Sequence, residues 1–277
     1  MTIHRIRRAI AGGAVLVLAA SGISAAQSPS ASPVVDAPSL PGVEASPAPS
    51  VLPDPVFVET FDQPNDLWWT GRDKRENTRY AAGGLRTTLR VKGGSSTWQW
   101  VDLAAPTDHV RVEIMVLVEE GSGGGGPICG DAAGDGGWFW GGINGDGEWL
   151  IGRILGSRLQ VADRGEQPIV RNPDAPVGAP YPVPVVLECQ VDPTGGGDRV
   201  VLWVEGVEVA DIVDEAIGPY AHAGMVTAGD EAGVTVWFDD LQVWDLAAPA
   251  ATASPVPSPD PGTTASPAPA AGASVAP

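Results

Sequence analysis

The chain has 277 residues, with 34 acidic against 16 basic side chains and a formal net charge of −18. A field of that sign repels phosphate backbones and anionic lipid surfaces, so nucleic acid and membrane surface are poor partners. It suits solubility outside the cell and leaves room for a divalent cation, although surface acidity by itself signifies only solvation.

Residues 1–26 read as a secretory signal peptide. His4, Arg5, Arg7 and Arg8 form a basic start, an apolar stretch runs from Ala9 to Ala19, and small residues approach a cleavage site near Ser24-Ala25-Ala26. Gly12, Gly13, Ser21 and Gly22 interrupt the apolar run, which is too short for a membrane span; an uncleaved anchor is the alternative. Cleavage leaves 13 basic against 34 acidic residues, a net of −21. Residues 27–55 and 247–277 are rich in Pro, Ala and Ser and cannot bury enough apolar surface to offset ordering entropy. Both are predicted to be disordered, a linker before and a tail after one folded domain at 56–246.

That domain is strand-like almost throughout. Strands are predicted at Val56–Phe61, Leu85–Val91 and Thr97–Leu103, then over 110–118, where Val110, Val112, Ile114, Val116 and Val118 define one face at period two. Gly121 to Gly126 reads as a flexible connection; with no Lys-Ser/Thr after it, it is not a phosphate loop. A hairpin is predicted around Asn144-Gly145-Asp146-Gly147, between Trp138-Phe139-Trp140 and Trp149-Leu150-Ile151. Strands at Leu159–Ala162 and Val183–Val191 precede a second hairpin that turns at Glu205-Gly206. His222–Thr227 and Val234–Trp244 complete the set. Within the last strand the apolar phase slips at Asp239-Asp240, which predicts a bulge. Many short strands with Gly/Pro turns and no sustained helical period point to an all-β sandwich or jelly roll. Cys129 and Cys189, the chain's two cysteines, read as one disulfide in an exported protein, with two buried free thiols as the alternative.

The order of FVETFDQPNDLWW, HVRVEIMVLVEEG, GPICGDAAGDGGWFWGGINGDGEWLIGRI, VVLECQVD, RVVLWVEGVEVADI and VTVWFDDLQVW resembles the concanavalin A-like lectin/glucanase superfamily. It is closest to the keto-disaccharide hydrolase-like and laminin G-like exported domains of that group. The resemblance implies an all-β jelly-roll sandwich of two antiparallel sheets, whose first strand carries Phe61-Asp62 and whose last carries Phe238-Asp239, with the two cysteines at matching places. Two features depart from the pattern. Glu113 and Glu119-Glu120 lack the spacing of the three alternating carboxylates that glucanases use, and Gly130 follows Cys129 where many relatives carry Arg.

Three chemistries are candidates for a site. Glycoside hydrolysis needs two carboxylates at a set separation. Glu59, Asp62, Glu113, Asp146, Glu148, Asp239 and Asp240 offer acids without singling out a pair. The mature chain has only His109 and His222, no serine in a nucleophile elbow and no Cys/His cluster for zinc, so no catalytic residue is assigned. The ten tryptophans suggest carbohydrate instead, because the C–H faces of sugars pack on indoles. Most should be structural. The exceptions expected to form a platform are Trp138, Trp140 and Trp149, with Arg153 as a polar partner. Trp98 and Trp100, two apart, also share a face. Third, Glu59, Asp62, Asp239 and Asp240 meet where first and last strands adjoin and offer oxygen ligands for a structural Ca²⁺; turn and bulge capping is the alternative role. The function expected is a secreted, non-catalytic module that binds carbohydrate or another cell-envelope component. The alternatives are a glycoside-active hydrolase of the keto-disaccharide hydrolase-like type and a structural or protein-interaction domain.

Overall fold

The computed structural model describes residues 52–90, 95–132, 137–155, 158–167, 181–229 and 233–247, together with the backbone of Ala11–Gly12. The predicted signal peptide (that dipeptide apart), nearly all of the 27–55 linker and the tail from 248 onward lie outside the described residues. Among the described residues there are strands and no helix. They are β1 (Ala11–Gly12), β2 (Phe57–Glu59), β3 (Gly71–Arg72), β4 (Glu76–Ala81), β5 (Gly84–Leu89), β6 (Ser95–Thr107), β7 (His109–Glu120) and β8 (Gly124–Asp131). After these come β9 (Gly137–Asn144), β10 (Glu148–Leu155), β11 (Arg158–Glu166), β12 (Val183–Val191), β13 (Asp198–Val204), β14 (Val207–Asp214), β15 (Tyr220–Gly229) and β16 (Thr235–Asp245).

The strands form two antiparallel sheets packed face to face. The front sheet runs β1-β6-β15-β8-β9-β10-β11 and the back sheet β14-β13-β12-β7-β16-β5-β4-β3, with β2 also paired to β16. Period-two alternation supplies the core between them. Val110, Val112, Ile114 and Val116 of β7 are all fully buried, flanked by Val185, Leu187 and Cys189 of β12 and by Val236, Phe238, Leu241 and Val243 of β16. From the front sheet come Val101, Cys129, Phe139, Ile143, Trp149, Ile151, Tyr220, Ala223 and Met225. The hairpin turn at Glu205-Gly206 has positive φ at both residues, 54° and 76°, as a two-residue turn matching strand twist requires.

The predicted bulge in β16 is present: register shifts between Asp239 and Gln242, and Asp240 has φ 49°. The same edge of β16 pairs with β5 over Thr235 to Phe238 and with β2 over Leu241 to Val243, so the bulge marks where one neighbour replaces the other.

Two predicted details change. Gly124, Gly125 and Gly126 open β8 instead of forming a loop. Glycine is needed there because a Cβ on Gly125 would come within 2.8 Å of the Phe238 ring, so the lack of side chains lets the sheets approach. Strand β4 was not predicted because its inward face is polar: Glu76 and Thr78 are buried, and Thr78 Oγ1 lies 3.0 Å from both Glu76 Oε1 and Thr87 Oγ1.

Among the described residues, two fully buried ties join the sheets in addition to apolar packing and to part-buried polar contacts such as Thr107 Oγ1 to Asp245 Oδ1. The disulfide Cys129–Cys189 links β8 to β12 and is fully buried. With a sequence separation of 60, the chain-entropy model allows it up to about 4 kcal/mol. The second tie is Asp198 of β13, buried completely. Its Oδ2 accepts hydrogen bonds from Ile217 N (2.9 Å), Gly218 N (2.8 Å) and the Tyr220 hydroxyl (2.7 Å). Burial pushes the Tyr220 hydroxyl far above its ordinary pKa, with the bond to Asp198 and its charge adding to the effect, so it stays a donor.

Removing Asp198 deprives three donors of their acceptor at once, the fully buried Tyr220 hydroxyl and the part-buried Ile217 and Gly218 amides. Asp198→Ala should therefore lower stability by about 3–5 kcal/mol in urea unfolding. Tyr220→Phe, which keeps the ring in the core, should cost about 1–2 kcal/mol.

Candidate functional site

Side chains that alternate away from the core occupy the outer faces of the two sheets. On the front sheet they form an aromatic cluster of Trp98, Ile128, Trp138, Trp140, Ile154 and Val226, with Trp100, Leu150 and Leu159 packed against it. Every member comes from a strand of this sheet: β6, β15, β8, β9, β10 or β11. Phase explains the membership. Trp98, Trp100 and Asp102 alternate along β6 with Gln99 and Val101, and Trp138 and Trp140 alternate along β9 with the core residue Phe139.

One cross-strand row has distinct chemistry. His222 of β15 lies opposite Asp102 of β6 on one side and Gly130 of β8 on the other, and Gly130 in turn lies opposite Trp138 of β9. His222 Nδ1 is 2.8 Å from Asp102 Oδ1. The Trp138 indole leans over Gly130 to stack on His222, with centroids 5.5 Å apart and planes at 23°. A Cβ at Gly130 would fall 2.5 Å from that indole, so glycine is what lets the rings meet. Trp100 completes the group, 5.1 Å from Trp138 and 6.1 Å edge-on from His222. Trp138 is 8% exposed and Trp140 4%, whereas Trp100 is half-buried, and the side chains of His222 and Asp102 are 17% and 30% exposed. The Trp100, His222 and Asp102 end is thus partly open to solvent, as are Leu150 and Leu159 at the other end of the cluster. Trp140 Nε1 is buried and has no hydrogen-bond acceptor among the described residues.

His222 reaches this face through a bulge. Between Tyr220 and His222 the register shifts against both neighbours of β15: against β8 Ala221 is the extra residue, whereas against β6 residues 103–106 bulge out opposite it. Tyr220 therefore points into the core toward Asp198 while His222, two residues on, points outward.

The residues expected from sequence are placed differently. Trp138, Trp140 and Trp149 were expected to form an exposed platform, and all three are buried. Trp149 faces the opposite way from the other two and packs in the main core, because it shares phase with Ile151. Arg153 has that same phase and is not a partner of the outer tryptophans. It spans to β14 and the residue after it, with Nη1 3.0 Å from Asp214 and 2.9 Å from Glu215.

The predicted calcium ligands do approach one another, since β2 and β16 are neighbours. Glu59 is occupied, however: its carboxylate accepts from Phe61 N (2.9 Å), Asn65 Nδ2 (2.5 Å) and Trp68 Nε1 (3.0 Å), organising the turn after β2. Asp239 Oδ1 accepts from Asp240 N within the bulge. Among the described residues no three His, Cys, Asp or Glu side chains are grouped as a metal site. Desolvation raises the Asp239 pKa to about 6, and the charges of Asp240, Asp62 and Glu59 reinforce it against the bond from Asp240 N.

The outer face of the back sheet is also aromatic but differently built. The Arg111 guanidinium lies over Trp203 (5.4 Å) and over Trp244 (5.8 Å), flanked by Glu113 and Glu188. Burial works against the Glu188 charge, but the His109 bond and the Arg111 and Arg199 charges hold its carboxyl below the ordinary range. Both indoles here are paired with a cation.

No family model and no curated protein matches the chain. Solved structures with a similar chain path include glucanases, lyases, a galectin and a protein described as having a galectin-like fold. One is a sialidase, 10% identical with a TM-score of 0.45, covering 71% of this chain, which spans 19% of it. Another is the catalytic domain of an endo-1,3-β-glucanase (laminarinase) from Thermotoga petrophila, 12% identical with a TM-score of 0.44, covering 69% of this chain and 96% of that one. A third is a galectin from Caenorhabditis elegans, 15% identical with a TM-score of 0.35, covering 57% and 95%. These likenesses concern chain path, and the chemistry of the site rests on this chain's own residues.

Asp239 supplies a test of the acidic corner. Its folded pKa lies above its unfolded value, so its charge costs stability above about pH 6 and the cost fades as pH falls toward the unfolded value. Asp239→Asn should therefore stabilise by about 1 kcal/mol at pH 7.5, allowing for solvent around a part-exposed group, and by nothing near pH 4 in thermal melts.

Proposed function

We propose that the protein is an exported, non-catalytic module that binds carbohydrate on the outer face of its front sheet. The observation that carries this reading is the partly open Trp100, His222 and Asp102 end of the aromatic cluster. The half-buried Trp100 sits beside a His222–Asp102 pair, on the same face as the unpaired donor of Trp140. An indole offers the apolar surface that sugar C–H faces pack on, and the polar pair offers hydrogen bonds to hydroxyls at its edge. Against catalysis, Asp102 is the one carboxylate paired within this cluster among the described residues, whereas glycoside hydrolysis uses two held across the bond. Export is supported by the leader-like start of the sequence and by the buried disulfide.

Binding to a panel of glycans and cell-wall polysaccharides, with calcium and then with chelator, tests the reading. The protein should bind a subset independently of calcium, and Trp100→Ala should weaken binding at least tenfold without lowering the melting temperature by more than a few degrees. Failure to bind any of them would overturn the proposal. Glycoside turnover lost in Asp102→Asn would replace it with an enzymatic one.

A further inference from the structure

The His222–Asp102 contact determines more than the position of a ring. An ionised carboxylate can only accept hydrogen bonds, so the 2.8 Å contact to Asp102 Oδ1 requires His222 Nδ1 to carry the proton. In the neutral imidazole the other nitrogen, Nε2, is then left as an acceptor. Stacking on Trp138 and the edge contact to Trp100 fix the ring plane, and the β15 bulge fixes its strand position. Nε2 has no other hydrogen-bond partner among the described residues, and the side chain is 17% exposed. Trp140 Nε1 on the same face can only donate.

We infer that Asp102 is a positioning residue that holds His222 as an acceptor, so that the site selects ligands presenting a free hydroxyl donor to Nε2. The ligand half of this inference rests on the carbohydrate reading; the tautomer half rests on geometry alone. The substrate class is a glycan whose hydroxyl at the contact position is unsubstituted. A sugar O-methylated there keeps the oxygen but loses the donor, and Nε2, with no proton of its own, cannot bond to it. Asp102→Asn replaces an obligate acceptor with an amide that can also donate, which releases the tautomer.

Two measurements test it. Long-range ¹H–¹⁵N spectra of the ligand-free protein, recorded about two units above the ordinary histidine pKa, report which ring nitrogen bears the proton. Wild type should show His222 protonated at Nδ1, and Asp102→Asn should show a mixture. A wild-type ring protonated at Nε2 overturns the inference and leaves carbohydrate binding untouched. The second measurement uses an oligosaccharide that binds the protein and its mono-O-methyl derivatives. One derivative should bind wild type at least tenfold more weakly and show no such penalty against His222→Asn, whose amide reaches only the Nδ1 position. His222→Gln, whose amide oxygen reaches the Nε2 position, should keep most of the discrimination. If no methylated position couples to His222, or if His222→Asn binds like wild type, the selection step is wrong. If no oligosaccharide binds at all, the carbohydrate reading and the ligand half fall together, while the spectra still decide the tautomer.

Discussion

A sheet with one buried face sends alternate side chains in opposite directions, and a single inserted residue reverses the assignment for everything beyond it. This sandwich depends on where those reversals occur. In β15 the extra residue Ala221 allows Tyr220 to point inward to the buried Asp198 and His222 to point outward to Asp102. Without it, one of the two contacts would be lost. The tie between the sheets and the polar element of the outer face are thus products of the same backbone irregularity. In β10 the shift between Ile151 and Gly152 occurs against β11, while pairing with β9 stays in register. The aromatic alternation therefore continues undisturbed from β9 into β10. The irregularity in β16 does a third job, letting one strand edge serve two neighbours.

The regular part of this arrangement was legible in the sequence, and the irregular part only where it left a trace. The β7 alternation gave its buried face from Val110 to Val116, with Val118 half-buried at its end, and the two hairpins followed from turn chemistry. The β16 bulge was visible because apolar residues continue on both sides of it in opposite phase. The β15 bulge left no such trace: Tyr220, Ala221, His222 and Ala223 show no apolar pattern to slip. His222 could not be assigned to a face, and its partner could not be sought. Yet half of the site was readable. In Trp98-Gln99-Trp100-Val101-Asp102 the alternation alone places two indoles and a carboxylate on one face. Trp138, Trp140 and Trp149 stand among glycines that in sequence suit a cleft. Those glycines serve close packing, as Gly130 does under the Trp138 ring and Gly125 does against Phe238. Which of two outward indoles ends up open to solvent depends on neighbours three strands away, and no local pattern encodes that.

The two outer faces show why indoles alone do not define a site. On the back sheet Trp203 and Trp244 are both met by the Arg111 guanidinium, which in turn is flanked by two carboxylates. A stacked cation covers the π-surface that a sugar ring would need, and the charges are mutually compensated. That ladder reads as a structural device that closes the outer face over Val186 and Val201, which are nearly inaccessible. On the front sheet no cation stacks on Trp100 among the described residues, and the His222 ring beside it retains unused hydrogen-bonding capacity.

That unused capacity also bears on why the site is built on strands instead of loops. A recognition atom is useful in proportion to how little freedom it loses on binding, and residues locked in a sheet have already lost theirs. His222 is held by a hydrogen bond in its plane, by an indole against its face and by main-chain pairing on both sides. Its ordering entropy is met by folding, within a sandwich whose sheets are fixed together by a disulfide and by the Asp198 knot. Such a site can discriminate by the direction of one hydrogen bond, because neither the ring nor the sheet beneath it can adjust to accept the wrong partner.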